Sequence, residues 1–251
     1  MSRIKPAGPR CRAGTRSLTL LAAAACAGAA LATQPLQATS ADASWRLRGD
    51  GSRLELRDGQ AHLVKRYELP ASDAGAAPTV ASVHHAALRR SFVVTFRHLP
   101  QVWEISLDPK AEPLYQGLVH DFRMGEGVAE PGFLGVRRMR MPVALPDSTL
   151  DSTGSYLLGR AADSADGRAV LHLVHLDVRR SIARFECDAD PDLTSARPSE
   201  HGERALIVVP DRLGGPPLVV DLDGMRLLDA ATLAVRRLVP ADSERAPCRL
   251  K

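Results

Sequence analysis

The residues best suited to chemistry lie in one run, LYQGLVHDFRMGEGVAEPGFLGVRR, from Leu114 to Arg138. It holds one histidine (His120), the acids Asp121, Glu126 and Glu130, and the arginines Arg123, Arg137 and Arg138. A planar guanidinium pairs with a carboxylate in bidentate fashion, so this set suits a ligand rich in carboxylates. The imidazole of His120 could ligate iron or move a proton near neutral pH. The competing reading is that these charges pair with one another and hold a loop shut. Five glycines break any helical or strand period in the run. Polar loops longer than about 12–15 residues are uncommon without a function.

The remaining candidates are weaker. His84 and His85 are adjacent in an expected strand and so point to opposite faces; His85 is taken as the one facing a ligand. His172 and His175 also face opposite ways and form no metal pair, while His62, His98 and His201 read as surface. The DADPD segment, with Asp188, Asp190 and Asp192, lacks the glycine and terminal glutamate of a calcium loop and reads as a solvated turn. There is no nucleophile elbow, phosphate loop, HExxH, CxxC or CxxCH. No catalytic residue and no metal ligand set is assigned.

Residues 1–32 read as a signal peptide that directs the chain to the periplasm. Five basic residues precede the apolar stretch Leu18–Leu31, and Ala30-Leu31-Ala32 offers a small-x-small cleavage site. That stretch falls short of the about 20 strongly apolar residues of a membrane span. A lipid-anchored form at Cys26 is the lesser alternative, since Ala23 stands where a larger aliphatic is usual. The whole chain has 33 Lys+Arg against 29 Asp+Glu. Without the five leader cations, 28 bases face 29 acids, so no basic surface for nucleic acid is expected. Cys187 and Cys248 are the cysteines beyond the leader, and both a bridge and two free thiols remain open.

The region 33–251 reads as one all-β domain. Short apolar strands recur, each followed by aspartate and a tight turn: Arg53–Arg57 before Asp58-Gly59, Leu171–Phe185 around Asp177, Leu218–Val220 before Asp221. Repeats of roughly 40–50 residues mark a β-propeller. Four units are expected, at 44–72, 78–120, 134–188 and 203–240.

The phrases SFVV (Ser91–Val94), PQVWEISLDPKAEP (Pro100–Pro113), GLVHDFRMGEG (Gly117–Gly127), AEPGF (Ala129–Phe133) and Arg137-Arg138 follow one another almost without a break. In this order they resemble the haem d1 propeller family, which includes cytochrome cd1 nitrite reductase and the NirF-type haem d1 biosynthesis proteins. A fainter echo follows in HLDVRRSIARF, His175–Phe185. The resemblance implies an eight-bladed propeller, of which this chain holds about half. It also implies haem d1 or its precursor as the ligand, bordered by His120, Arg123, Glu126, Glu130, Arg137, Arg138 and His85. Other nitrite reductase maturation proteins are the implied partners. A compact four-bladed ring, a homodimer completing the ring and a decayed remnant all stay open.

Two departures bear on activity. Leu145-Pro146-Asp147 stands where cytochrome cd1 enzymes place a distal histidine, and the chain has no c-type haem attachment site. It is therefore not expected to be a nitrite reductase. The acid/base histidine expected of NirF-type proteins falls on blades with no counterpart here. The sequence thus points to a binding protein for haem d1 or its late precursor. A periplasmic protein-interaction module and an inactive homologue are the alternatives.

Overall fold

The computed structural model describes residues 36–71, 76–115, 129–161, 168–201, 204–228, 230 and 248–250. The leader and the whole Gly117–Gly127 phrase lie outside the described residues. Among the described residues every regular element is a strand. Strands β1 (Leu36–Thr39), β2 (Trp45–Asp50), β3 (Arg53–Asp58) and β4 (Leu63–Glu68) form the first blade. The second takes β5 (Thr79–Ala86), β6 (Ser91–Arg97) and β7 (Gln101–Ser106), passes through the small hairpin β8 (Leu114–Tyr115) and β9 (Ala129–Glu130), and closes with β10 (Val136–Arg140). The third comprises β11 (Asp147–Leu150), β12 (Tyr156–Arg160), β13 (Ala169–His175) and β14 (Arg180–Cys187). The fourth comprises β15 (Arg197–His201), β16 (Arg204–Val209), β17 (Leu218–Asp221) and β18 (Arg226–Leu228). Each is an antiparallel meander, and the fold is all-β and propeller-like.

The recurrent aspartates explain the turns. Asp58 accepts the backbone N–H groups of Gln60 and His62, each at 2.9 Å. Asp151 does the same for Thr153 at 3.0 Å and Tyr156 at 2.8 Å, and Asp221 for Gly224 at 3.0 Å. A carboxylate at a strand end satisfies turn amides that the ladder leaves over, which makes the local sequence dictate the reversal.

Blades pack face to face through apolar layers. Leu47, Leu54, Leu56 and Tyr67 of the first blade meet Phe92, Val94, Phe96, Trp103 and Ile105 of the second. The other face of the second blade, with Val93, Val102 and Met139, meets Leu157 and Val174 of the third. Leu158, Leu171 and Phe185 of the third meet Ile207, Val209 and Val220 of the fourth. Among the described residues no apolar layer joins the fourth blade to the first. The apolar layers described thus run in series from the first blade to the fourth. The free face of the first blade carries exposed Arg46, Arg48 and Arg66, with Glu55 and Arg57 between them. A charged face of this kind suits the end of a repeat array.

Strands β1 and β2 lie against β5, and β5 against β11, so the first strands of these three blades converge, while β4 and β10 are the outermost strands of the first two. At the β5–β11 contact Ser82 Oγ shares a 2.5 Å hydrogen bond with Ser148 Oγ, and His84 Nε2 lies 2.9 Å from the same oxygen. Burial pushes the His84 pKa down to about 4. The unfolded chain then takes up this proton first, so stability is full above about pH 6.5 and falls as pH drops towards 4. A depression of about 2.5 pH units at 1.36 kcal/mol each is on the order of 3 kcal/mol. His85 and His172 are shifted in the same direction by desolvation. Urea melts of the wild type and His84→Gln between pH 7.5 and 4 should show a slope that the variant loses in large part. An equal slope in both would exclude His84 as its source.

Three boundaries differ from the sequence reading: the first blade opens at Leu36 rather than at 44, because β1 pairs with β2. Val136–Arg140 was expected to open the third unit, yet it pairs antiparallel with β7 and closes the second blade. The fourth unit begins at Arg197 rather than at 203. Near the C-terminus, β19 (Cys248–Leu250) adds to the outside of β14, with Cys187 directly opposite Cys248 in the ladder. Cys187 is disulfide-bonded.

Candidate functional site

Of the residues singled out in sequence, His120, Arg123 and Glu126 lie outside the described residues. Glu130 is exposed on β9. Arg137 sits on β10 with its guanidinium 3.9 Å from the buried Glu104 carboxylate. Arg138, one residue on, points to the opposite face and lays its guanidinium 5.0 Å from the Trp103 ring centre. Both arginines line one cleft of about 540 Å³ along the outer edge of the second blade. Arg140 and Arg179 line it too, with Gln101, Glu112 and Tyr115. The sequence reading missed Arg140 and Arg179. Arg179 enters from the β13–β14 turn of the next blade, where its backbone is left-handed (φ 58°).

His85 does not join them. It lies on β5, with β6 and β7 between it and β10. Its ring is 5.5 Å from that of Phe92, and burial lowers its pKa against an opposing pull from Asp42. Asp42 is itself held at about 2, mainly by the hydroxyls of Ser40 and Ser44.

A second cavity, of about 380 Å³, opens at one end of the blades. Arg97 and His98 reach it from the β6–β7 turn, and Ala144, Pro146 and Asp147 from the link into β11. Arg160 and Ala161 come from the end of β12, and Arg212 from the loop between β16 and β17. Three blades thus contribute to one site. Arg160 is fixed by Asp190 at 2.6 Å; Arg212 is held by Asp190 at 3.7 Å and Asp192 at 3.3 Å. The Asp192 carboxyl is held well below the usual range, chiefly by the Thr194 hydroxyl, with Ser195 and Arg212 adding to it. Ala144, Pro146 and Ala161 supply an apolar wall. Gly159 keeps that wall close: a Cβ there would come within 2.7 Å of Leu145, which is buried behind it.

His98 is exposed, as the sequence reading had it, and it borders this cavity with a left-handed backbone (φ 62°). For a residue other than glycine this is uncommon, and such positions gather at turns and functional sites. The Arg97-His98 pair at a strand end was the one local signal of the site. The convergence of Arg160 and Arg212 on it is tertiary. Among the described residues no cluster of His, Cys, Asp or Glu could hold a metal ion.

The two cavities offer different chemistry. The blade-end cavity joins apolar surface to guanidiniums, as a flat amphipathic ligand with a carboxylate rim requires. The edge cleft is polar and runs along a strand.

No family model matches the sequence, and no curated protein matches it. Among solved structures the chain is similar to dihydro-haem d1 dehydrogenase NirN, determined in complex with DHE. The TM-score is 0.57 at 25% identity, covering 77% of this chain and 36% of that one. It also resembles apo AztD from Citrobacter koseri, with TM-score 0.43, 11% identity and coverage of 82% and 47%. Hydrazine synthase from Kuenenia stuttgartiensis gives TM-score 0.41, 10% identity and coverage of 75% and 54%. The chain spans little more than a third of the NirN chain it matches. Together with the four-sheet architecture, the likeness to NirN supports an all-β, propeller-like fold.

Proposed function

We propose that the chain binds haem d1 or a late precursor during maturation of periplasmic nitrite reductase, in the blade-end cavity. The observation that carries this reading is the convergence of Arg97, Arg160 and Arg212 around an apolar wall in a chain similar to NirN. The residues present fit such a group. Ala144, Pro146 and Ala161 would face the macrocycle, and the guanidiniums its carboxylates. Arg160 and Arg212 are already oriented by Asp190 and Asp192, so little side-chain freedom is lost on binding. The iron of the bound group would supply its redox chemistry. This chain's residues bind, orient and screen it from water.

Arg137 and Arg138, the arginines first picked out in sequence, are the alternative seat. Spectral titration of the full chain with iron protoporphyrin, a carboxylate-bearing tetrapyrrole, separates the two. Arg97→Ala and Arg160→Ala should each weaken binding roughly ten- to a hundredfold, the loss of a charge-assisted contact of about 1.5–3 kcal/mol. Arg137→Ala and Arg138→Ala should change it less than about threefold, well under 1 kcal/mol. The reverse ranking would move the ligand to the edge cleft.

A further inference from the structure

The apolar layer between the third and fourth blades runs out at the end away from the blade-end cavity, and a third cavity of about 470 Å³ opens there. Tyr156 opens β12 on this side, whereas Arg160 and Ala161 close it on the other. Three residues of the third blade stand opposite one another across its strands: Tyr156 on β12, His175 on β13 and Arg180 on β14. Residues paired in this way share a face. It is the face whose Leu158, Leu173 and Ala183 pack on the fourth blade. The fourth blade meets it with the β17–β18 turn, which brings Leu222, Asp223 and Met225. The His175 ring lies edge-on to Tyr156 with centroids 4.7 Å apart. Its Nδ1 accepts the Asp177 backbone N–H at 3.2 Å, which fixes the ring.

Two opposite charges are left over in this cavity. Arg180 and Asp223 line it from different blades, both are exposed, and among the described residues neither is in an ion pair. The Tyr156 hydroxyl is pushed above its usual range by burial and then by Asp223, Asp151 and Asp177, so its side of the cavity favours a cation. The apolar part of the lining is buried Leu222, half-buried Ile182, and Val178 and Met225, which are 48% and 41% exposed. From this we propose that the cavity binds a small zwitterion with an apolar body, a short peptide with free termini. Arg180 takes the carboxylate, and Asp223 takes the ammonium group beside the Tyr156 ring. The two side chains do not pair with each other, so the ligand's charges must be set apart. The ends of an extended dipeptide reach about 7 Å. Two aliphatic side chains would cover Ile182, Leu222, Val178 and Met225 together, in a cavity of the size that small ligands fill.

The test is equilibrium dialysis of the full chain against isotope-labelled leucyl-leucine, its N-acetyl form and its C-terminal amide. The free dipeptide should bind at one per chain. Each blocked form should bind roughly tenfold or more weakly, the loss of one charge-assisted contact. Arg180→Gln should bring the free dipeptide down to the level of the amide, and Asp223→Asn should bring it down to that of the acetyl form. Arg97→Ala should leave all three affinities unaltered, which separates this cavity from the tetrapyrrole's. No retention at about 1 mM dipeptide, by a chain with a folded circular-dichroism spectrum, would overturn the proposal. So would equal binding of the blocked forms, indifference to either substitution, or displacement of the dipeptide by iron protoporphyrin.

Discussion

Replacing Trp103 with alanine is expected to destabilise the chain by about 3–5 kcal/mol, the usual range for removing a large aromatic from a filled core. Trp103 is 1% exposed, in the layer between the first and second blades. Its ring meets Phe96 edge-on with centroids 5.0 Å apart, and its Nε1–H donates to Gln101 Oε1 at 2.8 Å. Alanine would leave a cavity flanked by two rigid sheets that cannot close over it. Trp45 also packs on this layer but is only partly buried, so Trp45→Ala should cost clearly less. Urea midpoints at constant slope measure both. A loss below about 1 kcal/mol for Trp103→Ala would mean that the blade interface is not packed as described.

Glu104→Ala should have an effect of similar size for an electrostatic reason. Glu104 is 5% exposed and accepts Arg89 Nε at 2.9 Å, Arg89 Nη2 at 3.3 Å and Ser91 Oγ at 3.0 Å. Arg89 also donates to Asp177 of the third blade at 2.6 Å, so the acid anchors a bridge between blades. Removing Glu104 leaves the largely buried Arg89 with only the exposed Asp177 as a partner, at about 3 kcal/mol, the low end for breaking a buried pair. Asp177 is exposed, so Asp177→Ala should cost no more than about 1 kcal/mol. Comparable losses for the two would show that the surface contact, rather than the buried one, ties these blades together.

Glu104 also shows where sequence reading stops. In the alternation Trp103-Glu104-Ile105-Ser106 a polar residue is expected to face water, as on a sheet with one wet side. Inner blades are covered on both faces, so Glu104 is buried and needs Arg89, a partner fifteen positions away. The strand–Asp–turn repeat was legible because each aspartate satisfies amides within a few residues of itself, as Asp58 and Asp151 do. The placement of β10 was not. A long insertion separates it from β7, and local pattern cannot say that the chain returns to the same sheet. Arg137 and Arg138 could be picked out because they are adjacent and charged, and they do line a cleft together. Arg97, His98, Arg160 and Arg212 are scattered over more than a hundred positions, and only the stacking of three blades brings them to one cavity.

The proposed function requires the blade-end cavity to hold a carboxylate-bearing tetrapyrrole. Its most direct test is an absorbance titration of the full chain with haem d1, alongside a circular-dichroism spectrum of the same sample. A saturable spectral shift at one ligand per chain is expected, weakened roughly ten- to a hundredfold by Arg97→Ala and kept on Arg138→Ala. A folded β spectrum with no spectral shift at tens of micromolar protein, a Kd weaker than about −6 kcal/mol of binding, would contradict it.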